Sequence, residues 1–281
     1  MGLMGGAIAN ALRSRCGVAQ AGLYACDADP GALSLAEKAG FICKGWAPDD
    51  AGKMLADCDL VFLCVNPSSL LEFLSKWEQT FKPGALITDI AGTKIGVAKA
   101  AENIRSDLDF IPGHPMAGAE KGGFINQALC DFRGKNYILT PLARNKPENL
   151  QFLKNLIHRM GFDRITETNP ADHDTKIAFT SQLCHVIAAS LVNCEADSSI
   201  TRFGGGSLED LTRIAIFNAP MWTELFISNR EALLEWIERF ETSLDGIKSL
   251  IQEEKAEDLE LMLARVRERR TSWSSARPAG N

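Results

Sequence analysis

The chain is short of positive charge. Lys and Arg number 30 against 36 Asp and Glu, a formal net charge of -6 with its four histidines neutral. A protein that grips nucleic acid by neutralising phosphates needs a basic face, so nucleic acid is not the expected partner. Apolar stretches fall well short of the ~18–20 residues that cross a bilayer, and no charged-then-apolar leader opens the sequence. A soluble cytoplasmic protein without membrane contact is expected. None of the eight cysteines (16, 26, 43, 58, 64, 130, 184, 194) forms a CxxC pair. Most sit in apolar runs, as Cys64 does in LVFLCV, so free buried thiols of a reducing compartment are expected rather than a disulfide framework. HExxH and similar spacings do not occur, so no metal site is expected.

What is present points to a globular enzyme-sized chain. Its 281 residues exceed the usual ~100–200 per domain. Hydrophobic residues at 46% and charged residues at 23% leave no room for disorder or a fibrous repeat. The first half alternates short apolar runs with helical patterns. LYACD, LVFLCV (60–65), ALITDI (85–90), DFIPGHP (109–115) and NYILTP (136–141) read as strands, with helices from about Pro30 to Ala39 and over PSSLLEFLSKWEQTF. Such alternation predicts a Rossmann-like, doubly wound parallel α/β sheet. Near Pro170 the strand signal stops. Leu233, Trp236, Ile237, Phe240, Leu244, Ile247 and Ile251 repeat at helical spacing, which predicts an all-helical second domain whose apolar stripe packs into a bundle or against a second copy of the chain, a homodimer being expected. The expected organisation is 1–168 dinucleotide-binding, 169–268 helical dimerisation and substrate domain, and 269–281 disordered tail.

Gly2-Leu3-Met4-Gly5-Gly6 matches the second and third glycines of a dinucleotide-binding turn, where the backbone approaches a pyrophosphate and the following helix aims its N–H groups at it. Asp27 follows at about the ~20-residue interval where a carboxylate accepts both ribose hydroxyls of NAD and repels the 2'-phosphate of NADP. The first strand and first glycine of that motif are missing before Gly2. In a doubly wound sheet this strand is central, so the natural product is expected to carry roughly ten more residues.

Four further clusters carry polar chemistry. Asp89-Ile-Ala-Gly92-Thr93-Lys94 follows a strand at the end where such folds bind ligands, so Asp89 is expected among the cofactor contacts and Thr93 toward the nicotinamide; a plain helix cap is the other reading. Gly113-His114-Pro115 presents a histidine on a rigid turn, as suits a general base. His173-Asp174 and Ser181-Gln-Leu-Cys-His185 lie twelve residues apart on one helical stretch, so both histidines are expected broadly on one side. Gly204-Gly205-Gly206 leads into a helix bearing Arg213, suited to a carboxylate or else to a surface ion pair.

The succession GLMGG, CDAD, DIAGTK, GHPMAGAEKGG, HD, SQLCH, GGGSLEDLTR and NAPMW resembles the prephenate dehydrogenase family, which includes arogenate dehydrogenases, over about residues 2–255. The resemblance implies a nicotinamide-binding domain followed by a helical dimerisation domain. It also implies NAD-dependent oxidation of prephenate, with release of carbon dioxide, to 4-hydroxyphenylpyruvate on the way to tyrosine. His114 then matches the catalytic histidine that accepts a hydrogen bond from the substrate's C4 hydroxyl, and Thr93 stands where the family has a serine near that hydroxyl. His185 and Arg213 match substrate-binding positions. Ala119 replaces a usual serine or threonine at the pocket edge, which leaves prephenate and arogenate both open. The rival readings are another Rossmann and helical-domain hydroxy-acid dehydrogenase, which would rely on a lysine in the helical domain, and an inactive dinucleotide-binding dimer.

Overall fold

The computed structural model describes residues 1–119 and 121–275. The chain divides into two compact units, Met1–Asn229 and Arg230–Asn281. The first opens with α1 (Leu3–Ser14), β1 (Tyr24–Cys26), α2 (Pro30–Lys38), β2 (Lys44–Trp46), α3 (Ala51–Leu55) and β3 (Leu60–Leu63). It continues through α4 (Pro67–Trp77), β4 (Leu86–Asp89), α5 (Ile95–Glu102), β5 (Asp109–Ile111), β6 (Gly113–Pro115), β7 (Asn136–Leu139), α6 (Pro147–Met160) and β8 (Arg164–Glu167). Helices alone follow: α7 (Pro170–Ile177), a π-helical turn at Ala178–Leu183, α8 (Cys184–Asn193), α9 (Gly206–Thr212) and α10 (Ala219–Ser228). This is the expected α/β order followed by helices.

The sheet is divided where a single continuous one is expected. β1 pairs with β2 and β3–β4–β5 form a second group, all in parallel. β7 pairs antiparallel with β6 and parallel with β8. The break after β5 falls at Pro112, which has no N–H to continue a ladder; its carbonyl accepts from Thr140 at 3.0 Å as the chain turns to pair with β7. The run 109–115, expected as one strand, is thereby two. β1 and β3 line one cleft of about 550 Å³ together with Met1, Gly2 and Gly5, each strand keeping one edge unpaired among the described residues. A doubly wound sheet carries its central strand at this place.

Of the three apolar clusters in the unit among the described residues, two are the largest. One joins Ala7, Ile8 and Leu12 of α1 to Tyr137 and Leu139 of β7 and to Leu153, Ile157 and Met160 of α6. The other places Leu70 and Leu74 of α4 and Val97 and Ala101 of α5 against Val61, Leu63 and Ile87. Local signals set the helix starts: Asn169 caps α7 by accepting from the Asp172 N–H at 2.9 Å, with Pro170 in the first turn.

Strands cease after Glu167, near the expected boundary, yet the first compact unit runs on to Asn229. Helices α7–α10 therefore share one body with the sheets. The second unit holds α11 (Arg230–Gln252) packed against α12 (Ala256–Ser275). The expected disordered tail is corrected over 269–275, which continue α12: the Thr271 and Ser272 hydroxyls fold back onto the carbonyls of Arg267 and Arg269. The last residues, 276–281, lie outside the described ones.

Two further expectations change. All eight cysteines are free, but only Cys16 and Cys130 are buried, while Cys43, Cys184 and Cys194 are exposed. Apolar neighbours in sequence do not bury a thiol whose own position faces outward. The continuous helical run Pro170–Asn193 also reaches the length and composition of a bilayer span, with a mean hydropathy of 1.2 over its best window. Its first turns hold His173 and Asp174, both buried in the packed unit.

Candidate active site

His114 sits in β6, opposite Ile138 of β7. The residue before it has to be glycine: a Cβ on Gly113 would lie 2.7 Å from a ring carbon of Tyr137. The Gly113 N–H donates to Asp89 Oδ1 at 3.0 Å, and the Tyr137 hydroxyl donates to the Asp89 carbonyl at 3.3 Å. The histidine is thus pinned through its neighbours to the C-terminal end of β4.

Behind His114 lies a buried chain of polar groups. His114 Nδ1 is 3.0 Å from His173 Nε2, and His173 Nδ1 is 2.7 Å from Asp174 Oδ1. The Asp174 carboxylate also accepts from the backbone N–H groups of Lys94 at 2.7 Å and Ile95 at 2.9 Å. These are the opening N–H groups of α5, whose own N-cap residue offers no side chain, so Asp174 caps that helix from α7. Asn229, itself buried, donates to the Asp174 carbonyl at 2.9 Å and to Gln182 in the π-helical turn at 2.8 Å. Such π turns recur at functional sites.

Burial above all, then His173 and the Lys94 cation, hold the His114 pKa well below the ordinary histidine value. Burial also lowers that of His173, against the pull of Asp174. Both imidazoles are neutral near pH 7, as a proton acceptor at His114 requires.

Thr93 is buried, and its hydroxyl lies 3.3 Å from that of Ser228 in α10. Gly92 beside it lets α10 approach: a Cβ there would come 3.0 Å from Leu225 and 4.0 Å from the His114 ring. Thr93 and His114 are brought to one locality. Asp89 ends β4. Fully buried, it accepts from Ala91 N at 2.8 Å and Gly113 N and pairs with the equally buried Lys94 ammonium. These contacts brace the loop that carries Thr93 and the strand β6 that carries His114.

Gly2, Leu3, Met4 and Gly5 form the start of α1, whose N-cap Gly2 provides no side-chain cap. Gly2, Gly5 and Asp27 line the cleft between β1 and β3. Asp27 accepts from Asp29 N at 2.8 Å and pairs with the Met1 amine. Cys64 lines the same cleft, but burial pushes its thiol up to about 12, so it stays protonated.

Among the described residues His173 and His185 share no partner, and the π-helical turn Ala178–Leu183 lies between them. His185 donates from Nδ1 to the Ser181 carbonyl at 2.9 Å and stacks on Trp222 with ring centres 3.6 Å apart. Arg213 is exposed on a short turn that packs against α8, the helix carrying His185. Ala119 lies half-buried in an irregular segment beyond β6, and Glu120 of the same motif lies outside the described residues. Sequence reasoning gave no role to His173, Asp174, Lys94 or Trp222. The adjacent His-Asp pair just inside a capped helix was the one signal available.

Residues 8–165 match the family model for the prephenate dehydrogenase nucleotide-binding domain, and residues 169–265 that for its dimerization domain. The chain belongs to the prephenate dehydrogenase family. Among curated relatives, prephenate dehydrogenase of Lactococcus lactis subsp. cremoris is 33% identical over 213 residues, covering 73% of this chain and 58% of the relative. That of Bacillus subtilis is 32% identical over 180 residues, covering 62% and 48%. The chain thus spans about half the length of the curated relatives it matches. Among solved structures, prephenate dehydrogenase from Aquifex aeolicus, in complex with hydroxyphenyl propionate and NAD+, superposes with a TM-score of 0.85 at 28% identity, covering 96% of this chain and 95% of the other. Arogenate dehydrogenase from Synechocystis reaches 0.79 at 26% identity, covering 97% of each. A 3-hydroxyisobutyrate dehydrogenase from Salmonella typhimurium, at 12% identity and a TM-score of 0.54 over 85% of each chain, shares the fold alone.

Proposed function

We propose that this chain is an NAD-dependent prephenate dehydrogenase, which oxidises prephenate to 4-hydroxyphenylpyruvate with release of carbon dioxide. The observation that carries the reading is the neutral, partly exposed His114 imidazole at a strand end, beside Gly92 and Thr93 and backed by buried His173. The residues fit a dinucleotide. The start of α1 offers uncapped N–H groups to a pyrophosphate, and Asp27 at the end of β1 offers a carboxylate to ribose hydroxyls, both on one cleft. NAD, when bound, supplies the hydride acceptor.

His114 draws on the proton of the C4 hydroxyl, raising electron density at that carbon as the hydride leaves. Loss of the ring carboxylate then yields an aromatic ring, so the step does not reverse. Thr93 presents a buried oxygen beside the same hydroxyl and, with His114, orients the ring. His185, held by Ser181 and stacked on Trp222, contacts the substrate, and Arg213 grips one of its carboxylates. The rival reading needs a catalytic lysine in the helical domain, and Lys176, on the same helix as His173, is exposed and paired with Asp172. A cytoplasmic homodimer is the proposed assembly, supported by the dimerization-domain match and by exposed Leu244, Ile251, Leu261 and Val266 on α11 and α12.

Arogenate is the second substrate reading: Ala119 in place of a hydroxyl side chain leaves both substrates open, and arogenate dehydrogenase from Synechocystis is among the similar structures. Purified protein given NAD and either prephenate or arogenate should raise the NADH absorbance with matching release of carbon dioxide. Faster turnover of arogenate selects the second reading, and absence of NADH with both refutes the first two together.

A further inference from the structure

The hydrogen-bond partners behind His114 admit only one direction of donation. Asp174 already accepts from two backbone N–H groups, Lys94 at 2.7 Å and Ile95 at 2.9 Å. It is therefore an acceptor toward His173 as well, and the proton of that contact sits on His173 Nδ1. A neutral His173 then has a bare lone pair on Nε2. His114 Nδ1, 3.0 Å away, has to supply the proton for the next contact. A neutral His114 carrying its proton on Nδ1 has none on Nε2, and that nitrogen makes no hydrogen bond among the described residues.

We propose that His173 is a positioning residue: Asp174 and His173 together lock His114 as the Nδ1–H tautomer and so present its Nε2 lone pair as the proton acceptor for the substrate hydroxyl. The role of Nε2 rests on the proposed dehydrogenase reading, whereas the tautomer does not. The three groups come from separate elements, β6 for His114, α7 for His173 and Asp174, and the start of α5 for the N–H groups that orient the carboxylate. One carboxylate thus sets both the imidazole chain and the loop bearing Thr93. When His114 takes a proton on Nε2, the resulting cation rests against His173, whose other nitrogen faces Asp174, so the developing charge meets a carboxylate through one imidazole.

The test uses the intact protein labelled with 15N histidine. All four histidines should report Nδ1–H, His158 and His185 because their Nδ1 atoms face the carbonyls of Phe162 at 3.0 Å and Ser181 at 2.9 Å, which only accept. These two serve as internal controls. His173→Leu removes the acceptor, so the His114 proton is no longer held on Nδ1 while the controls stay unchanged, and kcat falls about 10–100-fold with KM and NAD affinity nearly constant. His173→Gln keeps an amide oxygen toward His114 and an N–H toward Asp174, and should hold the tautomer and restore most of kcat. A wild-type His114 found as Nε2–H overturns the proposal whatever the variants do. So does His173→Leu with unchanged tautomer and kcat, or His173→Gln as impaired as His173→Leu. Because the nitrogen spectrum needs no substrate, a protein that shows the tautomer but no turnover refutes the dehydrogenase reading instead.

Discussion

Replacing Lys94 by Met is the sharpest test of how the site is braced. Lys94 and Asp89 are both fully buried and paired with each other, and Asp89 also holds the Ala91 N–H on the loop that carries Thr93 and the Gly113 N–H on the strand that carries His114. Methionine nearly matches the lysine stem in volume, so the change removes the ammonium and little else. The carboxylate is then left buried with two backbone donors and no counter-charge. Breaking a buried pair from one side costs about 3–5 kcal/mol. At about 2–4 °C per kcal/mol for a body of this size, Tm should fall by roughly 6–20 °C. Adding Asp89→Asn removes the stranded charge while keeping an acceptor oxygen, so the double variant should be more stable than the sum of the singles by about 0.5–3 kcal/mol. Urea unfolding followed by tryptophan fluorescence, with calorimetry for Tm, measures both quantities. An unfolding midpoint for Lys94→Met equal to that of the parent, or strictly additive single changes, would refute the reasoning.

Other expected outcomes follow from the same geometry. His114→Asn should lower kcat on the order of 10²–10⁴-fold while equilibrium binding of NAD stays the same; an intact kcat moves the proton acceptor elsewhere. The groups facing His114 are His173, with Asp174 behind it, and Lys94, with Asp89 behind it, and burial sets a pKa below the ordinary 6.5. The acid limb of kcat/KM should therefore have its midpoint below 6.5, activity being lost as pH falls through the folded value; a limb at or above 6.5 counts against the assignment. Since His114 and His173 both titrate lower in the fold than in the unfolded chain, their contribution to stability is complete above 6.5 and is lost as pH falls toward the folded values, readable as a declining urea midpoint. Asp27→Ser should relax discrimination between NAD and NADP, checked by the ratio of the two kcat/KM values.

The division between sequence and tertiary structure is clear in these particulars. The alternation of strands with helices, the end of the strand signal near Pro170, and His114 between glycine and proline were legible. Each depends on neighbours in the chain: hydrophobic period, or a residue type that constrains φ. The break of the 109–115 run at Pro112 was equally local, yet a three-residue β5 and β6 pair with different partners, and pairing is a non-local matter. The tail was misread for the converse reason, since small polar residues suggest fraying while the Thr271 and Ser272 hydroxyls satisfy helix carbonyls instead. Nothing local could show that His114 meets His173 across 59 residues, or that Asp174 caps a helix starting 79 residues earlier. Those contacts exist because packing brings three elements together and leaves buried polar groups to partner one another, and by the same logic Asp89 braces Ala91, Lys94 and Gly113. Sequence determined which chemical groups the site has; only the folded arrangement decided which of them touch, and which way the protons between them point.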